Sequence, residues 1–247
     1  MDLNLKNEFL EKWKKYFGDA EIPFTWFYIL DTEGYTLPEP SPEWGCLVCE
    51  LSQVRKGKTL VYNGELIRCG GGKRYLGFTD RLRPNFEYFL SCGIPGEMEG
   101  ERYIRTPEMV KEMQKNIRKL PVDGKYIVFK RWDKLEANDE PEAVIFFARP
   151  DVLSGLFTLA NFDQPEGRSV IAPFGAGCGS IVYHTFLENQ KENPCAVLGM
   201  FDPSARPCVP NKTLSFSVPM KKFVKMISYM DESFLITPTW ETVRQRI

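Results

Sequence analysis

The chain contains 247 residues, of which 43% are hydrophobic and 26% are charged. This composition excludes a disordered, collagen-like or disulfide-dense chain, and the length permits one large domain with a substantial core. The formal net charge is −1, from 32 basic and 33 acidic residues, so no global field attracts nucleic acid or an anionic membrane. We therefore expect neither as a partner.

The distribution of apolar and charged residues also bears on the cellular compartment of the protein. The N-terminal segment carries charges throughout and lacks the apolar core of a secretory signal. The most apolar later stretch, residues 143–162, is interrupted by Arg149, Pro150 and Asp151 before it reaches the ~20 residues of a membrane span. We therefore expect a cytoplasmic protein, whose seven cysteines are free thiols, metal ligands or redox groups rather than structural disulfides.

Hydrophobic periodicity and turn residues predict the elements of the first half. Apolar residues recur at helical spacing from Leu5 to Phe17, and Gly18 ends this first helix. The next predicted elements are a strand at 24–30, a helix at 46–56, a hairpin of strands 59–62 and 66–68 around Asn63-Gly64, and a helix from Thr106 to Lys119.

The second half mixes strands and helices in the same way. Its predicted strands are 126–131, 143–148, 169–172, 195–200 and 213–216, and its predicted helices are 150–160, 178–190 and 219–230. Such a mixture argues against all-α and all-β folds. We predict an α/β or α+β fold, with a mixed sheet and flanking helices in a single compact domain of residues 1–247.

Two similar signals suggest an internal duplication. A Gly-Cys pair opens a predicted helix at Cys46 and again at Cys178, and Arg74 and Arg206 follow these cysteines at the same spacing. Two pseudo-symmetric halves would place both cysteines at helix N-termini, where unpaired N–H groups favour a thiolate or an anion. A chance match of two short signals is the alternative. The predicted repeats are residues 24–92 and 143–230.

The cysteines are the candidate metal ligands. Cys46 and Cys49 form a CxxC at a predicted helix start, so both sulfurs lie on one helical face. His184 is the only histidine, which excludes zinc sites that need two or more histidines. Thiolates suit zinc or an iron–sulfur cluster, usually as sets of four. The candidate set is Cys46, Cys49, Cys69 and Cys178. Burial as small core residues is the alternative, and Cys92, Cys195 and Cys208 are interpreted as structural.

Two glycine-rich segments are candidates for binding a small anion, because glycines let backbone N–H groups approach it closely. Neither matches a Walker A loop or the Rossmann glycine order, and ordinary tight turns are the alternative. The candidate anion-binding residues are Gly70, Gly71, Gly72, Lys73, Arg74, Gly177, Gly179 and Arg206.

The order of several motifs resembles the domain of unknown function 169 (DUF169) family. The motifs are Cys-Gly-Gly-Gly-Lys-Arg-Tyr-Leu-Gly at 69–77, Ala-Arg-Pro-Asp-Val-Leu at 148–153, the Gly-Cys178 helix start, Asp-Pro-Ser-Ala-Arg at 202–206 and Phe-Ser-Val-Pro at 216–219. Family members often carry Cys-Pro-Gly-Ala-Arg where this chain has Asp202-Pro-Ser-Ala-Arg206, so one ligand candidate is missing. The resemblance implies a fold and the location of a site, but no reaction.

Three functional hypotheses follow. The first is a thiolate-rich site that binds a metal, such as zinc, or an iron–sulfur cluster and has a redox-linked role. The second is a cysteine-dependent enzyme, in which a thiolate attacks a small anionic metabolite held by the glycine turns. The third is a ligand-binding or scaffold protein with structural cysteines. Whether the chain is an enzyme, and in which oligomeric state it exists, stays open.

Overall fold

A seven-stranded mixed sheet forms the centre of the structure, a computed structural model that describes residues 1–41 and 43–247. The strands are β1 (Phe24–Ile29), β2 (Leu60–Tyr62), β3 (Tyr126–Arg131), β4 (Ala143–Ala148), β5 (Val170–Ile171), β6 (Ala196–Gly199) and β7 (Leu214–Pro219). Their order across the sheet is β2-β3-β1-β4-β7-β6-β5. Every neighbouring pair is antiparallel except β5 with β6.

Nine α-helices flank this sheet in the described part of the chain. They are α1 (Leu3–Phe17), α2 (Leu47–Arg55), α3 (Gly70–Tyr75), α4 (Phe86–Leu90), α5 (Pro107–Lys115), α6 (Pro150–Ala160), α7 (His184–Asn189), α8 (Met220–Tyr229) and α9 (Pro238–Arg244). A π-helical segment, Gly179–Tyr183, leads directly into α7. Within the described ranges, no helix combines the length and the apolar character needed to cross a membrane. The predicted α/β class is confirmed.

Helices pack on both faces of the sheet because successive strand residues, apolar on both sides, point in opposite directions. In β4, Val144 and Phe146 belong to one buried core, whereas Ile145 and Phe147 belong to another. Residues of α1, α6, α8 and α9 complete the first core. The second core, which we call the thiol-side core, contains residues of α2 and of the helix at 179–189. Four cysteines lie in it or pack against it: Cys46, Cys69, Cys178 and Cys208.

The predicted hairpin around Asn63-Gly64 is wrong in its second strand. The Asn63 side chain accepts hydrogen bonds from the N–H groups of Glu65 and Leu66, each at 3.0 Å, and its carbonyl accepts from Ile67. These bonds hold the amides in a turn, so they cannot pair with β2. Instead, β2 pairs with β3.

The strand order is the same on both sides of the central pair. β1 and β4 lie side by side, and outward from them follow β3 and β2 on one side and β7 and β6 on the other. Two equivalent halves would give this order, but strand order alone does not establish a duplication. The internal repeat of residues 24–92 and 143–230 therefore stays a prediction, and its first half ends before β3.

Glu142, next to the start of β4, gives the fold a pH dependence. Burial raises the pKa of its carboxyl to about 7, against a weaker opposing effect of the Tyr28 N–H. Between a carboxyl's ordinary pKa of about 4.3 and this value, the native state holds a proton that the unfolded state has lost. The free energy of unfolding is therefore expected to fall as pH rises from about 4.5 to 7.

Replacing Glu142 by Gln is expected to remove this dependence. The variant should gain about 2 kcal/mol of stability over the wild type between pH 5 and pH 8, because its side chain never ionises. Urea denaturation at both pH values measures the difference. Glu140→Gln, at an exposed site, is the control and should track the wild type. If the free energy of unfolding depends on pH in the same way for the wild type and Glu142→Gln, a raised pKa of Glu142 is contradicted.

Candidate functional site

Three cysteine sulfurs, those of Cys46, Cys49 and Cys208, lie within 4.8 Å of one another at the edge of the thiol-side core. Cys46 is the N-cap of α2, Cys49 lies in the first turn of that helix, and Cys208 ends a 3₁₀ turn after β6. Cys49 and Cys208 are joined as a disulfide across 159 residues of sequence, so the expectation of no structural disulfide is wrong for this pair. The Cys46 thiol is free. We call these residues the cysteine triad.

Close packing at Gly177 brings these distant segments together. A Cβ atom at Gly177 would lie 2.8 Å from the Met200 sulfur, 3.1 Å from Val48 of α2 and 3.3 Å from Ala205. Only glycine therefore allows the start of the 179–189 helix to approach both α2 and the segment that carries Cys208. Apart from the glycine itself, no local pattern in the chain predicts this contact.

The two other predicted ligands lie nearby but outside the triad. The Cys69 sulfur caps α3 by accepting from the Gly72 N–H at 3.2 Å. Cys178 is 6% exposed, and burial raises the pKa of its thiol well above the usual value, with Cys69, Cys46 and Asp202 acting in the same direction. The four predicted cysteines thus share one region, but metal binding by Cys69 and Cys178 stays a prediction.

The Cys46 and Cys178 thiols are protonated at neutral pH, because both have a raised pKa. Burial also raises the pKa of Cys46, although the N–H groups of Cys49 and Val48 at the start of α2 act against it. A thiol with a raised pKa is a poor nucleophile until a metal or a base takes its proton. This electrostatic setting disfavours catalysis by a free Cys46 or Cys178 thiolate.

An ion-pair cluster borders the triad on its outer side. Both the Nε and Nη2 groups of Arg68 donate to the Glu50 carboxylate, at 2.9 and 2.7 Å, and the Tyr62 hydroxyl donates to the same carboxylate. The Arg68 guanidinium packs directly on Gly45, so a side chain there would require the guanidinium to move. The Arg68 cation thus lies beside the residue that precedes Cys46, where its charge is already paired with the Glu50 carboxylate.

The predicted anion-binding arginines are occupied by backbone carbonyls. Arg74 donates to the carbonyls of Asp80 and Ile117, at 2.5 and 3.0 Å, and Arg206 donates to those of Thr213 and Asn211, at 2.5 and 2.9 Å. Both guanidinium groups thereby fix loops. The remaining members of the first segment, Gly70, Gly71, Gly72 and Lys73, form the short helix α3 rather than a turn.

An internal carboxylate occupies the second predicted anion site. The Gly177 N–H donates to Oδ2 of Asp202 at 3.3 Å, while Gly179 donates to a backbone carbonyl. Asp202 is 6% exposed, and its Oδ1 accepts from both the N–H and the hydroxyl of Ser204. An external anion at Gly177 would have to displace this carboxylate, so binding there also stays a prediction.

Cys208 is the residue that sequence reasoning missed. Its interpretation as structural agrees with its disulfide to Cys49, but no sequence signal placed its sulfur beside Cys46 and Cys49. Its segment carries Asp202 at the position where the resemblance to relatives would place a cysteine, and Cys208 follows six residues later. Cys208 therefore places a sulfur in the region where the Asp202 motif lacks the family's cysteine.

Comparison with known proteins gives a family but no characterised relative. The DUF169 family, described as "Uncharacterised ArCR", matches residues 20–229. No curated protein and no solved structure matches the chain. Because the family match covers most of the 247 residues, the chain belongs to the DUF169 family.

Proposed function

We propose that the cysteine triad is a redox-linked metal site, in which the reduced sulfurs of Cys46, Cys49 and Cys208 bind a thiophilic ion such as Zn²⁺. The mutual spacing of at most 4.8 Å carries this proposal. Sulfurs in a tetrahedral site with zinc–sulfur bonds of about 2.3 Å lie about 3.8 Å apart. Small side-chain adjustments would therefore convert the reduced triad into three ligands of one ion.

The fourth ligand in this proposal is Cys69. Its thiol lies near enough to Cys46 to raise the pKa of that residue, and it sits at the start of the neighbouring helix α3. A set of four thiolates also suits an iron–sulfur cluster. Mononuclear zinc is favoured here because the triad sulfurs are so close together.

The redox link follows from the Cys49–Cys208 disulfide, since its formation removes two of the proposed ligands. A small-molecule disulfide is a sufficient oxidant by thiol–disulfide exchange. It accepts the two electrons and two protons of the cysteine pair and leaves as two thiols, while the protein sulfurs become bonded. Oxidation of this kind would release the metal, and reduction would restore the site.

Cobalt titration tests the site, because Co²⁺ replaces Zn²⁺ and its thiolate charge-transfer absorption reports sulfur ligands. The reduced wild type is expected to bind one equivalent with this absorption, and Cys46→Ser or Cys208→Ser should lower the affinity at least about tenfold. Cys92→Ser and Cys195→Ser are the matched controls and should bind as the wild type does. Oxidised protein should bind no cobalt.

The alternatives give different results in the same experiments. A brown protein with iron and inorganic sulfide after anaerobic purification would identify a cluster instead of a single ion. Loss of affinity in Cys69→Ser would identify the fourth ligand. Undiminished cobalt binding in the triad variants, or none in the reduced wild type, would contradict the proposal and leave the cysteines with a structural role.

A further inference from the structure

A cavity of about 250 Å³ lies beside the first turn of α8, away from the cysteine triad. The loops that precede β5 and β6 form its other walls, including Ser169 and Cys195. Four basic side chains line it: Arg168, Lys221, Lys222 and Lys225. Its volume suits a small metabolite, since pockets for larger ligands exceed about 300 Å³.

Lys222 is the unusual residue of this lining. It is 7% exposed, yet no described residue offers its ammonium a hydrogen bond or a carboxylate close enough for an ion pair. Burial lowers its pKa, and the more distant Asp163 only partly opposes this. By contrast Lys130, 5% exposed, lies 2.9 Å from a carboxylate oxygen of Asp139. Buried lysines are normally paired with a carboxylate, as Lys130 is.

The start of α8 adds positive charge to the same place. The helix begins after Pro219 with no side-chain cap and no acidic residue in its first turn. Its first N–H groups have no acceptor within the helix, and the helix dipole makes this end positive. Lys221 and Lys222 nevertheless lie in this turn, where basic residues are unfavourable without a neighbouring anion.

We propose that this cavity binds a small organic anion whose carboxylate or phosphate group pairs with Lys222. The anion supplies the missing partner of the Lys222 ammonium, which faces the cavity, and the missing charge at the start of α8. Three exposed carboxylates lie on the same lining, so the rest of the ligand carries hydroxyl or amino groups that can donate to them. They belong to Asp163, Glu166 and Glu192.

Calorimetric titration with inorganic phosphate and, separately, with succinate tests the proposal on the full chain. At least one probe should bind saturably below about 10 mM, and Lys222→Met should weaken it about tenfold or more, as expected for loss of a charged hydrogen bond. Lys212→Met, at the other end of β7, should bind as the wild type does. The probe that binds distinguishes phosphate-bearing from carboxylate-bearing ligands.

A second measurement does not depend on the folding of a variant. Either bound probe should slow acetylation of Lys222 in the wild type, read by peptide mass spectrometry, and leave Lys212 unaffected. No saturable binding of either probe, equal binding by Lys222→Met, or unchanged labelling of Lys222 in the presence of both probes would overturn the proposal.

Discussion

Lys130→Met is expected to lower the free energy of unfolding by about 3–5 kcal/mol. Lys130 and Asp139 form an ion pair at 2.9 Å, with side-chain exposures of 6% and 4%. Removing the ammonium leaves the Asp139 carboxylate buried without its counter-ion, which costs more than the pair itself contributes. Urea denaturation at pH 7 measures the loss. Lys134→Met, at an exposed site in the turn that follows β3, should change stability by about 0.5 kcal/mol at most.

A double variant separates this charge effect from lost packing. Asp139 also accepts from the Tyr35 hydroxyl at 2.9 Å and from the Glu136 N–H at 2.7 Å, and a neutral Asn could keep one acceptor for them. Lys130→Met/Asp139→Asn should therefore regain part of the stability lost in Lys130→Met. A single variant as stable as the Lys134→Met control would show that the pair contributes nothing.

Reduction of the Cys49–Cys208 disulfide is expected to lower the free energy of unfolding by about 2–5 kcal/mol. The bond closes a loop of 159 residues, so its loss restores much conformational freedom to the unfolded chain. Urea denaturation of the wild type with and without a reductant measures this effect. A chelator must be present in both, because a bound metal would join the same segments.

The matched control for this prediction is Cys49→Ser/Cys208→Ser. This variant lacks the bond, so its denaturation midpoint should equal that of the reduced wild type and should not respond to reductant. A wild-type midpoint that is the same with and without reductant would contradict a stabilising role for the bond.

Local signals predicted much of the fold. The Thr106-Pro107 start of α5 is confirmed, since the Thr106 hydroxyl accepts from the Met109 N–H at 3.3 Å. The long strands β1, β3 and β4 also lie where their apolar runs placed them. Strand pairing was harder to predict. Asn63-Gly64 is a common hairpin turn, but here the Asn63 side chain accepts hydrogen bonds from its own neighbours, and residues 66–68 form no second strand.

Some residues of the candidate site were also predictable from local sequence, whereas others were not. Cys46 and Cys49 were predictable because a CxxC at a helix start fixes both positions locally. Cys208 reaches them only through tertiary packing around Gly177, which no spacing rule encodes. Arg74 and Arg206 were predicted as cations that face a bound anion. The backbone carbonyls to which they donate belong to loops whose course depends on the whole fold, so local sequence could not predict these contacts.

The two helix starts in the thiol-side core differ in their access to solvent. The helix α2, which follows β1, and the helix at 179–189, which follows β5, pack in the same core on one face of the sheet. One start is open, with Cys49 exposed, and the other is closed around Cys178. Solvent-borne oxidants and metal ions therefore reach the Cys49 sulfur directly, whereas the surrounding core shields the Cys178 thiol.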